Sequence, residues 1–188
     1  MWQATMIKVS APGKIHLLGE HIVVYGKPAL LATVDLRVTV HLRGEGVRWN
    51  KAHPGGVANL AKIIEPIVKK ELKIKRIPPY NIEISSQLPI GSGLGSSAAV
   101  SAAYIGALLS FLKIKWDLAL VNKLTYEAEK VFHGNPSGVD NATVIFGGIN
   151  VPSKLAKKIV LINTGTPEET TKEMVEIVSS KCKVQKNI

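Results

Sequence analysis

Residues 89–99 read Pro89-Ile90-Gly91-Ser92-Gly93-Leu94-Gly95-Ser96-Ser97-Ala98-Ala99. Three glycines and three serines stand between an alternating apolar run and a long alanine-rich one. The first turn of a helix leaves its N–H groups without intrahelical partners, and the helix dipole adds roughly half a positive charge there. Glycines ahead of that turn remove Cβ atoms that would hold a polyanion away. The order strand, glycines, helix therefore suits phosphate, and a hydroxyl at the helix start can ligate Mg²⁺. No lysine follows the last glycine, so this is not a Walker A loop. The glycines fall at i, i+2 and i+4, which is not the dinucleotide fingerprint. A helix cap with close helix packing is the other reading of the same glycines.

The surrounding pattern supplies elements to hold such a loop. Residues 5–10 alternate as a first strand, "APG" breaks it, and Lys14 to Leu18 reads as a second. From Leu30 to Leu42 the even positions are apolar, which predicts a long half-buried strand. Leu60, Ile63, Ile64, Ile67 and Val68 follow helical spacing and place an amphipathic helix over 56–73. Pro66 is expected to bend it or shift its start. Ile82 and Ile84 mark another strand. Ser97 to Leu112 is apolar nearly all round and predicts a central buried helix. Asp117 is placed to cap a further helix through about Val131. "FHGNPSGVDNA" reads as a loop, "TVIFGGINV" and 158–163 as strands, and "PEETTKEMVEIVSSK" as the opening of a helix. Single helices without regular βαβ alternation favour an α+β fold.

The 188 residues include 46% apolar and 20% charged residues, enough for a real core. The net charge of +10 fits an anionic partner, either nucleic acid or a phosphorylated small molecule. No basic stripe is interleaved with aromatics, which argues against nucleic acid. A single cysteine, Cys182, excludes an internal disulfide and a cysteine-based zinc site. The apolar runs are too short to span a membrane. The start "MWQATMIKVSAPGK" lacks a signal-peptide pattern, so the expected location is cytoplasmic.

Three segments carry a family resemblance. "PIGSGLGSSAA" resembles the nucleotide loop of the GHMP kinases, which phosphorylate small alcohols. "APGKIHLLGEHIVVYGKPAL" (11–30) and "HGNPSGVDNA" (133–142) are similar to the two other motifs of the branch whose acceptor is mevalonate. The three occur in the family's order over roughly residues 7–150, with the short connections of an archaeal or bacterial form. The resemblance implies the α+β fold of the GHMP kinase N-terminal domain, which a ribosomal protein shares. It implies an N-terminal ATP-binding and catalytic domain over 1–153 and the start of an incomplete C-terminal domain over 154–188. The family's third glycine-rich motif, carried by that C-terminal domain, has no counterpart in these residues.

The same resemblance assigns roles. Residues 89–99 bind ATP. Asp140 is the base that accepts the proton of the substrate hydroxyl, and Lys14 lies beside it, where a cation favours negative charge on its neighbour. Glu129, eleven residues before Asp140, ligates Mg²⁺ together with Ser97; Glu127 competes for that role. Glu20, His21 and Ser137 contact the substrate, and His133 is read as structural. The implied reaction is Mg²⁺- and ATP-dependent phosphorylation of mevalonate, with neither nucleic acid nor membrane as partner. Monomer and homodimer both stay open. The alternatives are a kinase of another small alcohol, such as phosphomevalonate, and a basic RNA-binding module of the same fold.

Overall fold

The computed structural model describes residues 6–20, 23, 27–44, 55–89, 91–147 and 173. Three antiparallel strands, β1 (Ile7–Leu18), β2 (Leu30–Gly44) and β3 (Tyr80–Ser86), form a sheet in that order. Four helices complete the α+β architecture: α1 (Gly55–Leu72), α2 (Ser96–Phe111), α3 (Leu118–His133) and α4 (Val139–Phe146).

The alternation of β2 does what a half-buried strand must: Val38, Val40 and Leu42 point into the core and are 1% exposed or less. Each such apolar side chain contributes about 1.5–3 kcal/mol by leaving water. Helix α2 lies against β1 and β2 on one side and against α3 and α4 on others. Twelve of its sixteen residues are buried. Its alanines let it approach closely, and a Cβ added at Gly106 would come within 3.2 Å of Val9 Cγ1. From α1, Leu60, Ile64 and Val68 repeat every four residues and enter the same core. Pro66 sits inside α1, which starts eleven residues earlier; the proline does not delay the start.

Two expectations need correction. The stretch 7–18 is one strand, not two. "APG" is absorbed by an irregularity between Pro12 and Gly13, where the partner positions jump from Arg37 to Val34 and β2 carries the extra residues. Residues 139–146, expected as loop and strand, form α4. Gly138, at φ 81°, supplies the left-handed turn before the helix, and the Thr143 hydroxyl bonds back to the Val139 carbonyl at 2.7 Å. Burial against α2, α3 and β1 overrides the strand preference of Val, Thr, Ile and Phe. The calls at 158–163 and 167–181 lie outside the described residues, except that Glu173 is helical and exposed. The second unit expected over 154–188 lies outside them too.

Candidate functional site

The glycine loop lies across β1, next to Lys14. The Lys14 N–H donates to the Leu94 carbonyl at 2.9 Å. A Cβ at Gly13 would fall 3.0 Å from that carbonyl oxygen and 2.5 Å from Leu88 Cδ2. A Cβ at Gly95 would fall 2.7 Å from Lys14 Cγ. The three loop glycines have φ of 72°, 70° and 69°, the left-handed region that penalises side chains. They serve different ends. Around Gly93 no atom of the described residues lies within 4 Å of an added Cβ, so among them that position faces open space. Gly95 is small because a lysine stem occupies the space beside it, the close-packing reading of the motif.

Gly95 also precedes α2 without offering a side-chain cap. Ala99 N–H reaches the Gly95 carbonyl at 2.9 Å, so the N–H groups of Ser96, Ser97 and Ala98 begin the helix without intrahelical partners. Ser92 Oγ turns back to the Pro89 carbonyl at 2.7 Å and fixes the entry to the loop. Ile90 lies outside the described residues.

Lys14 is buried, and its Nζ lies 3.2 Å from Asp140 Oδ2. The pairing follows from where the elements end. Lys14 stands past the β1 irregularity, where α4 covers the strand, and Asp140 is in the first turn of α4. Asn141, the next residue, is buried and donates to Asn122 Oδ1 at 2.7 Å, which pins α4 to α3. Asp140 Oδ1 is inaccessible to solvent and makes no hydrogen bond among the described residues. The side chain as a whole is nonetheless 35% exposed, so its accessible surface lies on atoms other than Oδ1.

Glu129 on α3 is 2% exposed. Its Oε2 accepts from Ser97 Oγ at 3.3 Å, and Oε1 has no hydrogen-bond partner among the described residues. Burial pushes its carboxyl up to about 7; the Ser97 bond opposes the shift, the Asp140 charge adds to it and Lys14 opposes it. The charges of the Lys14–Asp140 pair thus reach Glu129, and the two pairs form one electrostatic cluster. Glu127, the competitor, is about half exposed and bonds Lys130 at 2.6 Å on the outer face.

His133, read as structural, reaches the same cluster. Its Nε2 is 3.1 Å from Ser97 Oγ and 3.5 Å from Glu129 Oε2. Burial lowers its pKa, with Asp140 opposing and Lys14 reinforcing that shift. Glu129 and His133 are i and i+4 on α3, a spacing that could have revealed their shared face.

The residues read as substrate contacts are less gathered. Glu20 is exposed just beyond the end of β1. Ser137 is exposed, and its Oγ accepts from Val139 N–H at 3.5 Å at the approach to α4. His21 lies outside the described residues. Sequence reasoning passed over His16, whose Nδ1 is 2.9 Å from Lys14 Nζ and whose Nε2 is 3.8 Å from Asp140 Oδ1. Its position two residues after Lys14 on a strand was the available signal.

A Mg²⁺ ion fits the donors present. A buried carboxylate with an oxygen that has no hydrogen-bond partner among the described residues, beside a second carboxylate and a serine hydroxyl, is the arrangement a cation relieves. Among the described residues no cluster of three His, Cys, Asp or Glu side chains is placed to hold a metal. Ser97 and Glu129 would share a cation with phosphate oxygens instead. Among the same residues, no helix is long and apolar enough to cross a membrane.

Residues 58–148 match the model of the GHMP kinases N terminal domain. Mevalonate kinase of Archaeoglobus fulgidus is 36% identical over 178 residues, covering 90% of this chain and 62% of that protein. Mevalonate kinase of Bos taurus is 32% identical over 250 aligned positions, covering 94% and 63%. The crystal structure of Methanococcus jannaschii mevalonate kinase superposes with a TM-score of 0.66 at 27% identity, covering 78% of this chain and 52% of that one. That of L. major mevalonate kinase in complex with R-mevalonate gives 0.62 at 28%, covering 79% and 50%. The chain spans less than two thirds of these curated relatives. Sequence, fold and the glycine loop at the start of α2 agree, and residues 58–148 form a GHMP kinase N-terminal domain.

Proposed function

We propose that this chain provides the nucleotide-binding and base-bearing part of an ATP-dependent kinase that phosphorylates the primary hydroxyl of mevalonate. The observation that carries this reading is the adjacency of two polar pairs with different jobs, one a hydrogen bond and one an ion pair. Ser97 and Glu129 stand at the positive end of α2, and Lys14 and Asp140 stand beside them.

Phosphoryl transfer demands neutralised charge, alignment and an activated acceptor. The free N–H groups of Ser96, Ser97 and Ala98 face phosphate oxygens, and Gly93 leaves room for them. Bound Mg²⁺ would offset negative charge on the phosphates, held by Ser97 Oγ and Glu129 Oε1. Asp140 Oδ2 accepts the hydroxyl proton as the alcohol oxygen bonds to the γ-phosphorus and the bond to ADP breaks. Lys14 Nζ, 3.2 Å away, steadies that carboxylate and helps polarise the hydroxyl.

The test is ADP release by the full-length protein with ATP and Mg²⁺ against mevalonate, phosphomevalonate, galactose and homoserine. Turnover with mevalonate at least tenfold above the others is expected. Preference for phosphomevalonate would keep the chemistry and move the acceptor. No turnover with any alcohol would remove the kinase reading.

A further inference from the structure

Lys14 and His16 point to one face of β1, and the register between them is regular: Lys14 pairs with Thr33, Ile15 with Ala32 and His16 with Leu31. An ammonium group has only donors. The 2.9 Å contact between Lys14 Nζ and His16 Nδ1 therefore requires a lone pair on Nδ1. The ring hydrogen then sits on Nε2, the nitrogen facing Asp140 Oδ1 at 3.8 Å. Lysine and carboxylate meet at their other ends, Nζ to Oδ2. The three side chains close a ring of contacts in which the Nε2–Oδ1 side, at 3.8 Å, is too long for a hydrogen bond, and the His16 side chain is 9% exposed.

From this geometry, we propose that His16 is a positioning residue: a neutral imidazole that holds the Lys14 ammonium against Asp140 and keeps Oδ1 turned inward, so that Oδ2 meets the acceptor hydroxyl. The inference rests on the kinase reading above and adds a member to its catalytic unit. Without His16, Lys14 keeps its carboxylate partner but loses its second acceptor. Both lysine and carboxylate can then rotate, and small misplacements of reacting groups are costly, up to about 10²-fold in rate per ångström.

The experiment compares His16→Leu and His16→Asn in the full-length protein with ATP and mevalonate. Asparagine offers an acceptor oxygen near the place of Nδ1; leucine fills the volume without one. His16→Leu should lower kcat by about ten- to a hundredfold with KM for ATP unchanged. His16→Asn should recover most of that loss. Adding His16→Leu to Lys14→Met should lower kcat no further. Wild-type kcat in His16→Leu, or equal losses in both variants, would overturn the role. The tautomer gives a readout independent of turnover and of how His16→Leu folds. Long-range ¹H–¹⁵N spectra of the wild type, with His16 identified by its absence in His16→Asn, should show hydrogen on Nε2 only. Hydrogen on Nδ1 would overturn the inference. A wild type without turnover, yet showing the Nε2 tautomer, would sink the kinase reading and leave the ring of contacts standing.

Discussion

Among the described residues, two partly buried polar clusters are built to opposite rules. Away from the glycine loop, the Tyr80 hydroxyl donates to Glu65 Oε1 at 2.6 Å and bonds the hydroxyl of Tyr104, which is fully buried. Tyr80 also packs on Phe111 with ring centres 5.6 Å apart. Burial, more than any other cause, raises both tyrosine pKa values and keeps the hydroxyls neutral. This cluster joins α1, β3 and α2 with hydroxyls that have found partners. At the start of α2 the groups are ionisable side chains, and two oxygens, Glu129 Oε1 and Asp140 Oδ1, lack hydrogen-bond partners among the described residues. Satisfied polar groups hold elements together; buried carboxylate oxygens left over cost stability unless something else arrives to use them.

If that contrast is right, variants in the second cluster should change turnover and those in the first only stability. The largest effect is expected for Asp140→Asn in the full-length protein: kcat should fall by about 10²–10⁴-fold while ATP affinity survives. Lys14→Met should also slow turnover, and the double variant should lose much less than the sum because the two act together. Normal turnover in Asp140→Asn would end the proposed mechanism.

Glu129→Gln should divide function from stability. In metal-free protein, Glu129 holds its proton up to about pH 7, whereas in the unfolded chain it releases it near 4.5. Folded protein binds the extra proton between those values, so this group's contribution to stability falls as pH rises from about 4.5 to 7. Denaturant titrations in EDTA should show the fall in wild type and not in Glu129→Gln. His133, lowered from 6.5, acts in the other sense, losing stability as pH falls below 6.5, and that opposite slope should remain. Mg²⁺-dependent turnover should drop in Glu129→Gln and hardly change in Glu127→Gln. A wild-type slope of the opposite sign would contradict the burial argument.

Two glycines give a finer contrast. Gly93→Ala and Gly95→Ala both place a side chain in left-handed backbone, a strain of about 1–2 kcal/mol. Only Gly95→Ala also meets Lys14, at 2.7 Å. It should therefore lower both Tm and kcat more than Gly93→Ala does, and equal effects would detach the loop from the lysine. The smallest functional effect is expected for Tyr80→Phe. It should lose about 1–3 kcal/mol of stability in denaturant with kcat unchanged.

How far the sequence could be read depended on whether a signal was local. The glycine loop, α2 and the Asp117 cap, whose side chain accepts from Leu120 N–H at 2.8 Å, rest on neighbours in the chain and were legible. So was the meeting of Ser97 with Glu129 and of Lys14 with Asp140, through the family motifs. The single β1 was not, because Pro12 and Gly13 look like a break and the compensating residues sit on β2. Helix α4 was hidden by its β-branched residues, since only packing against α2, α3 and β1 decides its form. His16 was only half legible: its spacing from Lys14 puts both on one face of β1, but what that face meets is known only once α4 brings Asp140 to it.

Lys14 has one further consequence. A free lysine side chain has many rotamers, and ordering it costs up to about 2 kcal/mol. Here the stem is confined by the turn at Gly95 and the head is held by His16 and Asp140. That disorder is removed when the domain folds, before any substrate arrives. In the proposed mechanism the transition state would then meet a cation already in place, with none of its own stabilisation diverted to freezing one.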